Sequence, residues 1–502
     1  MEKVKRCINE IKERNEYKKI IYIIWIILCT FFFSKMVLNF GYVSESVFQT
    51  HKDYYLISAV CYFILSVLLL QRIKLQNIWI YIFSLLYGML ALWWLKNNEM
   101  NWGEELQNVY KMRWTLGGLL GVSLIDAIRY KKFIKIRERN WISSCIFLIA
   151  AVFACVISWG KYYTYILIIP FLLFYILCYS WDDWKQWTFC LTFGYYAAFV
   201  YTMIKSFVNV PYIGERYHGI YINHGLFGIF IGGAIICTFW WFYVLLKNKE
   251  KIWKKVLCVI AFLFAVLCLL LNGARVAELA VVVTVMVIAV VLGGKREAKQ
   301  VAYRLLMTFL ATLICVVGFV IVLSILNTYE EDSFDAIIEN EIIRENVRYW
   351  CNRAHTAFNA ESKYGLVQEG TLLNAIDRFS SDRISYAIAY LRDANWFGHE
   401  HLYIQIGDTP FGHPHNTFIY WIYGLGMFAG IFLFIWIISY AVLTMRYAIK
   451  DRGVYIFPFM WVAYFMTAGL NEDILWIYVT AFILLILQYP LLVKIDGKRH
   501  AE

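Results

Sequence analysis

The feature that most constrains this chain is its succession of long apolar segments. We count fourteen segments that approach the roughly 20 apolar residues an α-helix needs to cross the hydrocarbon core of a membrane. Composition agrees, because 61% of the 502 residues are hydrophobic and only 17% are charged, against about 45–50% and about 25% in ordinary globular domains. The sequence therefore predicts an all-α, polytopic transmembrane helix bundle. It excludes a soluble enzyme, a disordered chain and a disulfide scaffold.

The predicted spans differ in length. The fourth and the thirteenth are short, and twelve spans would leave both termini on the same side if one hairpin were misassigned. The fourteen spans are centred near Ile26, Ile64, Leu86, Val122, Ala150, Pro170, Ala197, Gly232, Phe262, Val283, Val316, Ala429, Phe465 and Leu484.

Basic residues indicate the orientation of the bundle. The chain holds 47 Lys and Arg against 36 Asp and Glu. The first 19 residues carry seven of the basic residues without a cleavage-site pattern, which is typical of a cytoplasmic tail rather than a signal peptide. With that end inside, 31 basic residues fall on the cytoplasmic side and 16 outside, as the positive-inside rule expects. The charge excess thus reflects topology, and no nucleic acid is expected as a partner.

One long segment between the eleventh and twelfth spans stands outside this pattern. The resulting organisation is a basic tail (1–19), spans 1–11 (20–326), an extracytoplasmic loop (327–415), spans 12–14 (416–493) and a cytoplasmic tail (494–502). The loop carries 14 acidic against 7 basic residues and five of the nine histidines. A loop of this length in a compact protein is usually functional. We expect it to be mostly helical, with a first amphipathic helix around Ile337 to Trp350. A second helix would be capped by Ser381 and would carry an apolar stripe of Ile384, Ile388 and Leu391.

Arg275 is the first candidate functional residue. It lies in the turn Asn272-Gly-Ala-Arg, at the outer end of the tenth span, with Glu278 one helical turn deeper. One interpretation is an arginine that snorkels to the interface beside an ion-pair partner. The other is an anion-binding residue, because free N–H groups and the helix dipole also attract anions at a helix N-terminus.

Two further arginines lie on the predicted outer side. Arg216 precedes the eighth span, whose boundary holds Asn223 and His224. This stretch is either a functional site or an ordinary polar loop with a helix cap. Arg383 lies on the second loop helix, away from its apolar stripe. Taken alone it would be a solvated surface charge.

Histidines cluster just before the twelfth span, in His413-Pro-His415-Asn416, and the His-x-His spacing recurs at His399 and His401. No cysteine lies nearby and no HExxH pattern exists, so we predict no metal site. A histidine at the membrane surface is suited to remove a proton from a sugar hydroxyl. The alternative is a polar cap that ends the loop.

Three pairs of glycines have the GxxxG spacing, for which helix packing is the favoured interpretation. They are Gly117 with Gly121, Gly228 with Gly232, and Gly426 with Gly430.

The candidate arginines and histidine converge on one predicted face of the membrane. Arginine offers permanent donors that match phosphate geometry. A reaction that releases a diphosphate needs cationic stabilisation of the leaving group. This combination favours transfer from a lipid-linked diphosphate whose headgroup lies at that surface.

Several stretches, in this order around one long external loop, resemble the O-antigen polymerase and O-antigen ligase family. Two substitutions depart from the family pattern, since Ala274 replaces a serine and Trp396 replaces a proline. The motif-bearing resemblance runs from Lys205 to about Tyr440. The stretches are Asn272-Gly-Ala-Arg275, Ser380-Ser-Asp-Arg383 with the helix that follows, Asn395-Trp-Phe-Gly398, His415-Asn416-Thr-Phe-Ile with Gly424-Leu-Gly426, and, more weakly, Arg216 to Asn223.

The resemblance implies a metal-independent inverting glycosyltransferase without a cofactor. Such enzymes use undecaprenyl-diphosphate-linked oligosaccharides at the outer face of the bacterial cytoplasmic membrane. By position, Arg275 and Arg383 would bind the donor diphosphate, and His415 would act as general base or orient the acceptor hydroxyl. Further substrate-binding candidates are Arg216, Asn223 and Asn416.

The resemblance leaves the exact activity open. We favour a polymerase of repeat units for O-antigen, capsule or exopolysaccharide, because fourteen spans and an aromatic-rich chain suit that group. Its expected partners are the lipid-linked oligosaccharide, membrane lipids and other polysaccharide assembly proteins. The alternatives are a ligase that moves a finished glycan to another acceptor, a polysaccharide flippase, and a ligand-sensing or adhesion-type membrane protein.

Overall fold

The computed structural model describes residues 19–20, 22–31, 33–34, 82, 86, 89–90, 93, 146, 149, 184–209, 217–221, 224–293, 366–368, 371, 373–374, 377, 382–399, 403–406, 409–411, 414–450, 456–470 and 472. These residues are mostly helical. The helices are α1 (Trp184–Asn209), α2 (His224–Lys247), α3 (Ile252–Asn272), α4 (Arg275–Gly293), α5 (Arg383–Asp393), α6 (Thr417–Leu425), α7 (Met427–Lys450) and α8 (Ile456–Gly469).

Three of these helices, α2, α3 and α7, are long and apolar enough to cross a membrane. Helices α2 and α3 coincide with the predicted spans centred near Gly232 and Phe262, whereas the predicted centre near Ala429 lies in the first turn of α7. Two shorter apolar helices, Tyr22–Phe31 and α8, fall on the predicted first and thirteenth spans. Helices α1 and α4 cover the spans centred near Ala197 and Val283. The other seven predicted spans fall wholly or mostly outside the described residues, so the total of fourteen stays a prediction.

The described residues belong to two compact units. In the first unit, helix Tyr22–Phe31 packs closely against α1 at Gly194. A Cβ atom at this position would collide with Cys29, so the close approach requires a glycine. The ring of Phe33 meets that of Tyr195 edge-on, with centroids 5.4 Å apart. The second unit includes the chain from Ser206 to Leu485, and it contains every candidate site residue described below.

Helices α3 and α4 are joined by the tight turn that the sequence predicts. Gly273 ends α3 with a φ of 62°, and its N–H donates to the carbonyl of Leu269 at 3.0 Å. Residues with a Cβ atom rarely adopt this left-handed conformation, which explains a glycine here. Helix α4 then begins at Arg275.

Small residues bring α2 against α4 and α8. At Gly228 a Cβ atom would collide with Ala274, and at Gly232 one would collide with the hydroxyl of Tyr464. That hydroxyl donates to the carbonyl of Ile229 at 2.7 Å. The packing interpretation of this GxxxG pair is confirmed.

The predicted twelfth span is not one continuous helix. It consists of α6 and α7, which are separated at Gly426, where φ is 92°. The carbonyl of Trp396 approaches Gly426 so closely that no Cβ atom would fit. The break therefore arises from a contact with the loop, which the hydropathy of the span does not reveal.

The predicted helical loop also contains a short hairpin, whereas the described residues as a whole are mostly helical, as the all-α prediction expects. Strand β1 (Ile404–Ile406) pairs antiparallel with β2 (Thr409–Phe411). The hairpin places Ile404 in a small core with Tyr390 of α5 and with Ile419 and Tyr423 of α6. Burial raises the pKa of the Tyr390 hydroxyl well above its ordinary value.

Helix α5 confirms the predicted second loop helix, although its buried face differs from the predicted apolar stripe. The buried side chains are Ser385 and Tyr390, whereas Leu391 is 46% exposed. The ring of Tyr390 and the hydrogen-bonded hydroxyl of Ser385 thus determine which face of α5 is buried. The other helix predicted in the loop, around Ile337 to Trp350, lies outside the described residues.

Candidate functional site

A buried aspartate holds the first turn of α5. One carboxylate oxygen of Asp377 accepts hydrogen bonds from the backbone N–H groups of Ile384 (2.8 Å) and Ser385 (2.9 Å), and the other accepts from the Ser385 hydroxyl. Asp382 precedes the helix with a left-handed φ of 62° and makes no capping bond with its own side chain. The capping group is therefore Asp377, while the predicted cap, Ser381, lies outside the described residues. Arg383 follows as the first residue of α5.

Arg383 is the centre of a cluster of charged groups. Its Nη1 donates to the backbone carbonyl of His415 at 3.1 Å. Its Nη2 lies 3.3 Å from Oε1 of Glu472, in an ion pair with a hydrogen bond. The Arg383 side chain is 21% exposed and that of Glu472 12%. Arg383 is thus a largely enclosed, paired cation, and the interpretation as a solvated surface charge does not apply.

His415 presents one ring nitrogen to the protein interior. Its Nδ1 is buried and lies 3.6 Å from Oε2 of Glu472, which is ion-pair range when the ring is protonated. The side chain as a whole is 36% exposed, and the ring of Tyr386 lies beside it with centroids 6.4 Å apart. The backbone has a φ of 48°, in the left-handed region. Non-glycine residues are uncommon there, and such positions cluster at functional sites.

Glu472 is held in place from its backbone. Its N–H donates to the carbonyl of Ala468 at 3.0 Å, and its own carbonyl accepts from the Thr417 hydroxyl at 2.8 Å. The Asn416 amide donates to the carbonyl of Leu470 at 2.8 Å. The end of α8 is therefore fastened to the start of α6, next to His415.

Sequence reasoning missed Glu472. The only available signal is an acidic residue that directly follows a short apolar segment, at the end that the topology places outside. Such a residue is common at span ends. Glu472 differs from other acidic residues at span ends in its proximity to Arg383 and His415, which are distant in sequence.

Arg275 lies at the same end of the helix bundle. Gly228, in the first turns of α2, packs against Ala274, the residue before Arg275. The bond from Tyr464 to Ile229 aligns the same part of α2 with α8, and α4 also packs against α8. Glu472 follows Tyr464 by eight residues, the first five of which complete α8 and extend roughly 7.5 Å along its axis. Arg275 is partly buried at the start of α4.

The remaining predicted site residues divide into two groups. Asn416 is described, and its side chain caps α6 by accepting from the N–H groups of Phe418 (2.9 Å) and Ile419 (3.1 Å). Its assignment to substrate binding stays a prediction beside this structural role. Arg216, Asn223, His401 and His413 lie outside the described residues.

His399, a member of the second His-x-His pair, contributes to packing. Its ring stacks on that of Tyr423 with centroids 3.9 Å apart, and its Nε2 bonds to the carbonyl of Asp393 at 2.8 Å. Within the described stretches, no group of three or more His, Cys, Asp or Glu side chains is arranged as a metal site.

This arrangement can bind an anion and accept a proton. Arg383 carries a permanent positive charge and guanidinium donors that match phosphate geometry, whereas the N–H groups of Ile384 and Ser385 at the start of α5 are already bonded to Asp377. A carboxylate beside Nδ1 of His415 favours a proton on that atom, which leaves Nε2 as the acceptor.

No protein-family model matches the chain, and a comparison with curated proteins returns no match.

Proposed function

We propose that this chain is a metal-independent inverting glycosyltransferase that polymerises undecaprenyl-diphosphate-linked oligosaccharide repeat units. Its products would be surface polysaccharides such as O-antigen, capsule or exopolysaccharide, made at the outer face of a bacterial cytoplasmic membrane. One observation carries the proposal: Arg383, His415 and Glu472 form one cluster at the end of a set of apolar helices. There a lipid-linked diphosphate and a sugar hydroxyl can meet.

The proposed reaction joins two lipid-linked chains. Nε2 of His415 accepts the proton of an acceptor sugar hydroxyl, whose oxygen attacks the anomeric carbon of the donor. The bond between that carbon and the diphosphate oxygen breaks, and undecaprenyl diphosphate leaves with the bonding electrons. Arg383 and Arg275 stabilise the negative charge of the leaving group.

Glu472 has a positioning role in this proposal. It bonds the Arg383 guanidinium and faces Nδ1 of His415. A single carboxylate therefore orients both a cation and a base, and it also offsets their positive charge. Fixed groups of this kind need little reorganisation during the reaction.

The finer topology belongs to the same proposal. We infer fourteen spans with both termini cytoplasmic, which places the turn after α8 and the loop with α5 on the outer side. The contacts between Glu472, Arg383 and His415 support this inference, because residues predicted to share a side are also neighbours in space.

The direct test is polymerisation by the purified full chain in lipid nanodiscs. The protein receives its lipid-diphosphate-linked repeat unit in the presence of a metal chelator, and products are separated on a gel. We expect a ladder spaced by one repeat. His415→Ala should abolish it, because the substitution removes the imidazole that is proposed to accept the proton of the acceptor hydroxyl. His399→Phe is the matched control, since it keeps a ring on Tyr423 and should retain the ladder.

Other outcomes identify the alternatives. If the folded protein forms no ladder but transfers the glycan to an added acceptor, in a reaction that depends on His415, it is a ligase. If His415→Ala, Arg383→Ala and Arg275→Ala all retain the activity of the parent chain, the proposed enzyme mechanism is wrong. A flippase would then be the leading alternative.

A further inference from the structure

The turn that follows α5, Asn395 to Gly398, is hydrogen-bonded to the break between α6 and α7. The N–H of Met427 donates to the carbonyl of Asn395 at 3.0 Å, and that of His399 donates to the carbonyl of Tyr423 at 3.1 Å. Gly398, with a φ of 73°, and Gly426 approach one another through their backbones. These contacts fix the position of the turn next to the first residues of α7.

The turn presents two large aromatic side chains on its surface. Trp396 is 49% exposed and Phe397 is 69% exposed. The Asn395 side chain accepts from the N–H of Phe397 at 2.8 Å, which fixes the turn internally. Two adjacent exposed aromatic residues on a fastened turn form an apolar patch, and such patches mark interaction sites.

The patch continues onto the membrane-spanning helix α7. The ring of Trp396 packs against that of Phe428 in the first turn of α7, with centroids 4.4 Å apart. Phe428 is the first of a row of exposed apolar residues that recur at intervals of three and four along the helix. The others in this row are Ile431, Ile435, Ile438 and Val442.

This continuity identifies the occupant of the patch. The core of a membrane contains no water, so the helix face exposed to it carries apolar side chains that contact the acyl chains. We therefore assign the exposed apolar row of α7 to the lipid. Tryptophan is enriched where such a face meets the headgroups. We propose that Trp396 and Phe397 form a membrane anchor, which holds the end of α5 in the outer interface of the lipid bilayer.

The anchor gives α5 a defined depth. Arg383 begins this helix, and Asn395 follows its last residue, Asp393, by two positions. A turn held at the interface fixes the depth of the C-terminal end of α5, while the Arg383 end is held by its bonds to His415 and Glu472. The inference concerns lipid contact alone and does not depend on the proposed glycosyltransferase activity.

Photo-crosslinking tests the anchor directly. A benzophenone-bearing phenylalanine analogue is incorporated at Phe397 of the full chain, in nanodiscs of phosphatidylethanolamine and phosphatidylglycerol. A second variant carries the probe at Arg392, an exposed charged position on α5. After irradiation, mass spectrometry quantifies phospholipid adducts on each peptide. We expect several-fold more adduct at position 397 than at position 392.

Two results would overturn the proposal. Equal labelling at the two positions would show that the turn lies in water. Labelling at position 397 that moves to an added lipid-linked oligosaccharide, with no phospholipid adduct in its absence, would identify a sugar-binding platform instead. If the Phe397 variant does not fold, the same comparison is made with the probe at Trp396, the other exposed aromatic residue of the turn.

Discussion

Glu472 shows how one carboxylate can organise a site that arginine and histidine otherwise define. It contacts Arg383 through one oxygen and faces His415 through the other. With 12% exposure it is largely shielded from solvent. Ion pairs of this kind are screened less than those on an open surface. Its removal would take away the carboxylate that binds Nη2 of Arg383 and faces Nδ1 of His415.

The residue-scale prediction is that Glu472→Gln lowers the rate of the proposed polymerisation by about tenfold to a hundredfold, since a hydrogen bond to a charged group contributes roughly 1.5–3 kcal/mol. The size of the side chain is kept, so the fold should be retained. The measurement is ladder formation as a function of donor concentration and pH, which separates binding from proton transfer.

Glu250 provides the matched control for this substitution. It pairs with Lys254 at 2.8 Å in the turn between α2 and α3, and this hydrogen bond lowers the pKa of its carboxyl group. Glu250→Gln removes the same charge far from the cluster and should leave the rate unchanged. Equal rates for Glu472→Gln and the parent chain would show that the carboxylate has no positioning role.

At the scale of elements, the close contact between α2 and α8 depends on the absence of a side chain at Gly232. The Tyr464 hydroxyl occupies the place where a Cβ atom would stand, and it bonds to the α2 backbone at Ile229. This contact also aligns the first turns of α2, and with them Arg275, relative to the end of α8. Packing within the bundle and the geometry of the site are therefore linked.

We predict that Gly232→Ala destabilises the protein by about 1–3 kcal/mol, because the added methyl group collides with the Tyr464 hydroxyl. Tyr464→Phe alone should cost less, about 0.5–1.5 kcal/mol for the lost hydrogen bond. In the double variant the two losses should not add, since removal of the hydroxyl makes room for the methyl group.

Thermal unfolding in detergent, compared across the parent chain and the three variants, measures this coupling. A loss in the double variant equal to the sum of the single losses would contradict the predicted contact.

The helices also show which parts of the fold follow from sequence. Local hydropathy predicted α2, α3 and α7, and the spacing of apolar residues predicted α5. It did not predict the break at Gly426, because that break results from the approach of the Trp396 carbonyl. Nor did it predict the hairpin β1–β2, whose strands are only three residues each. The buried face of α5 was also missed, since Tyr390 turns it toward Tyr423.

For the whole molecule, the arrangement predicts two sides with different accessibility. The basic turn between α2 and α3 and the N-terminal tail should be cytoplasmic. The loop with α5 and the hairpin should be extracytoplasmic. An epitope tag placed between β1 and β2 should react with antibody on intact spheroplasts. A tag at Asn248, or at the N-terminus, should react only after permeabilisation. Reaction of all three tags under the same condition would contradict the proposed topology.

The amino-acid sequence by itself determined the class of the molecule and the chemistry of its candidate residues. Apolar segments of membrane-crossing length, turn glycines and basic loops are local features, and each can be read within a few dozen residues. Arg275 and His415 were found in this way, whereas Arg383 became a candidate only through the family resemblance.

Only the tertiary structure decided which of these residues meet. Arg383 contacts the carbonyl of His415 across 32 positions and Glu472 across 89. Such contacts arise from helix packing and from backbone bonds between distant segments, and hydropathy carries no information about either. For the same reason, only the tertiary structure identified Glu472 and the exposed turn with Trp396 and Phe397.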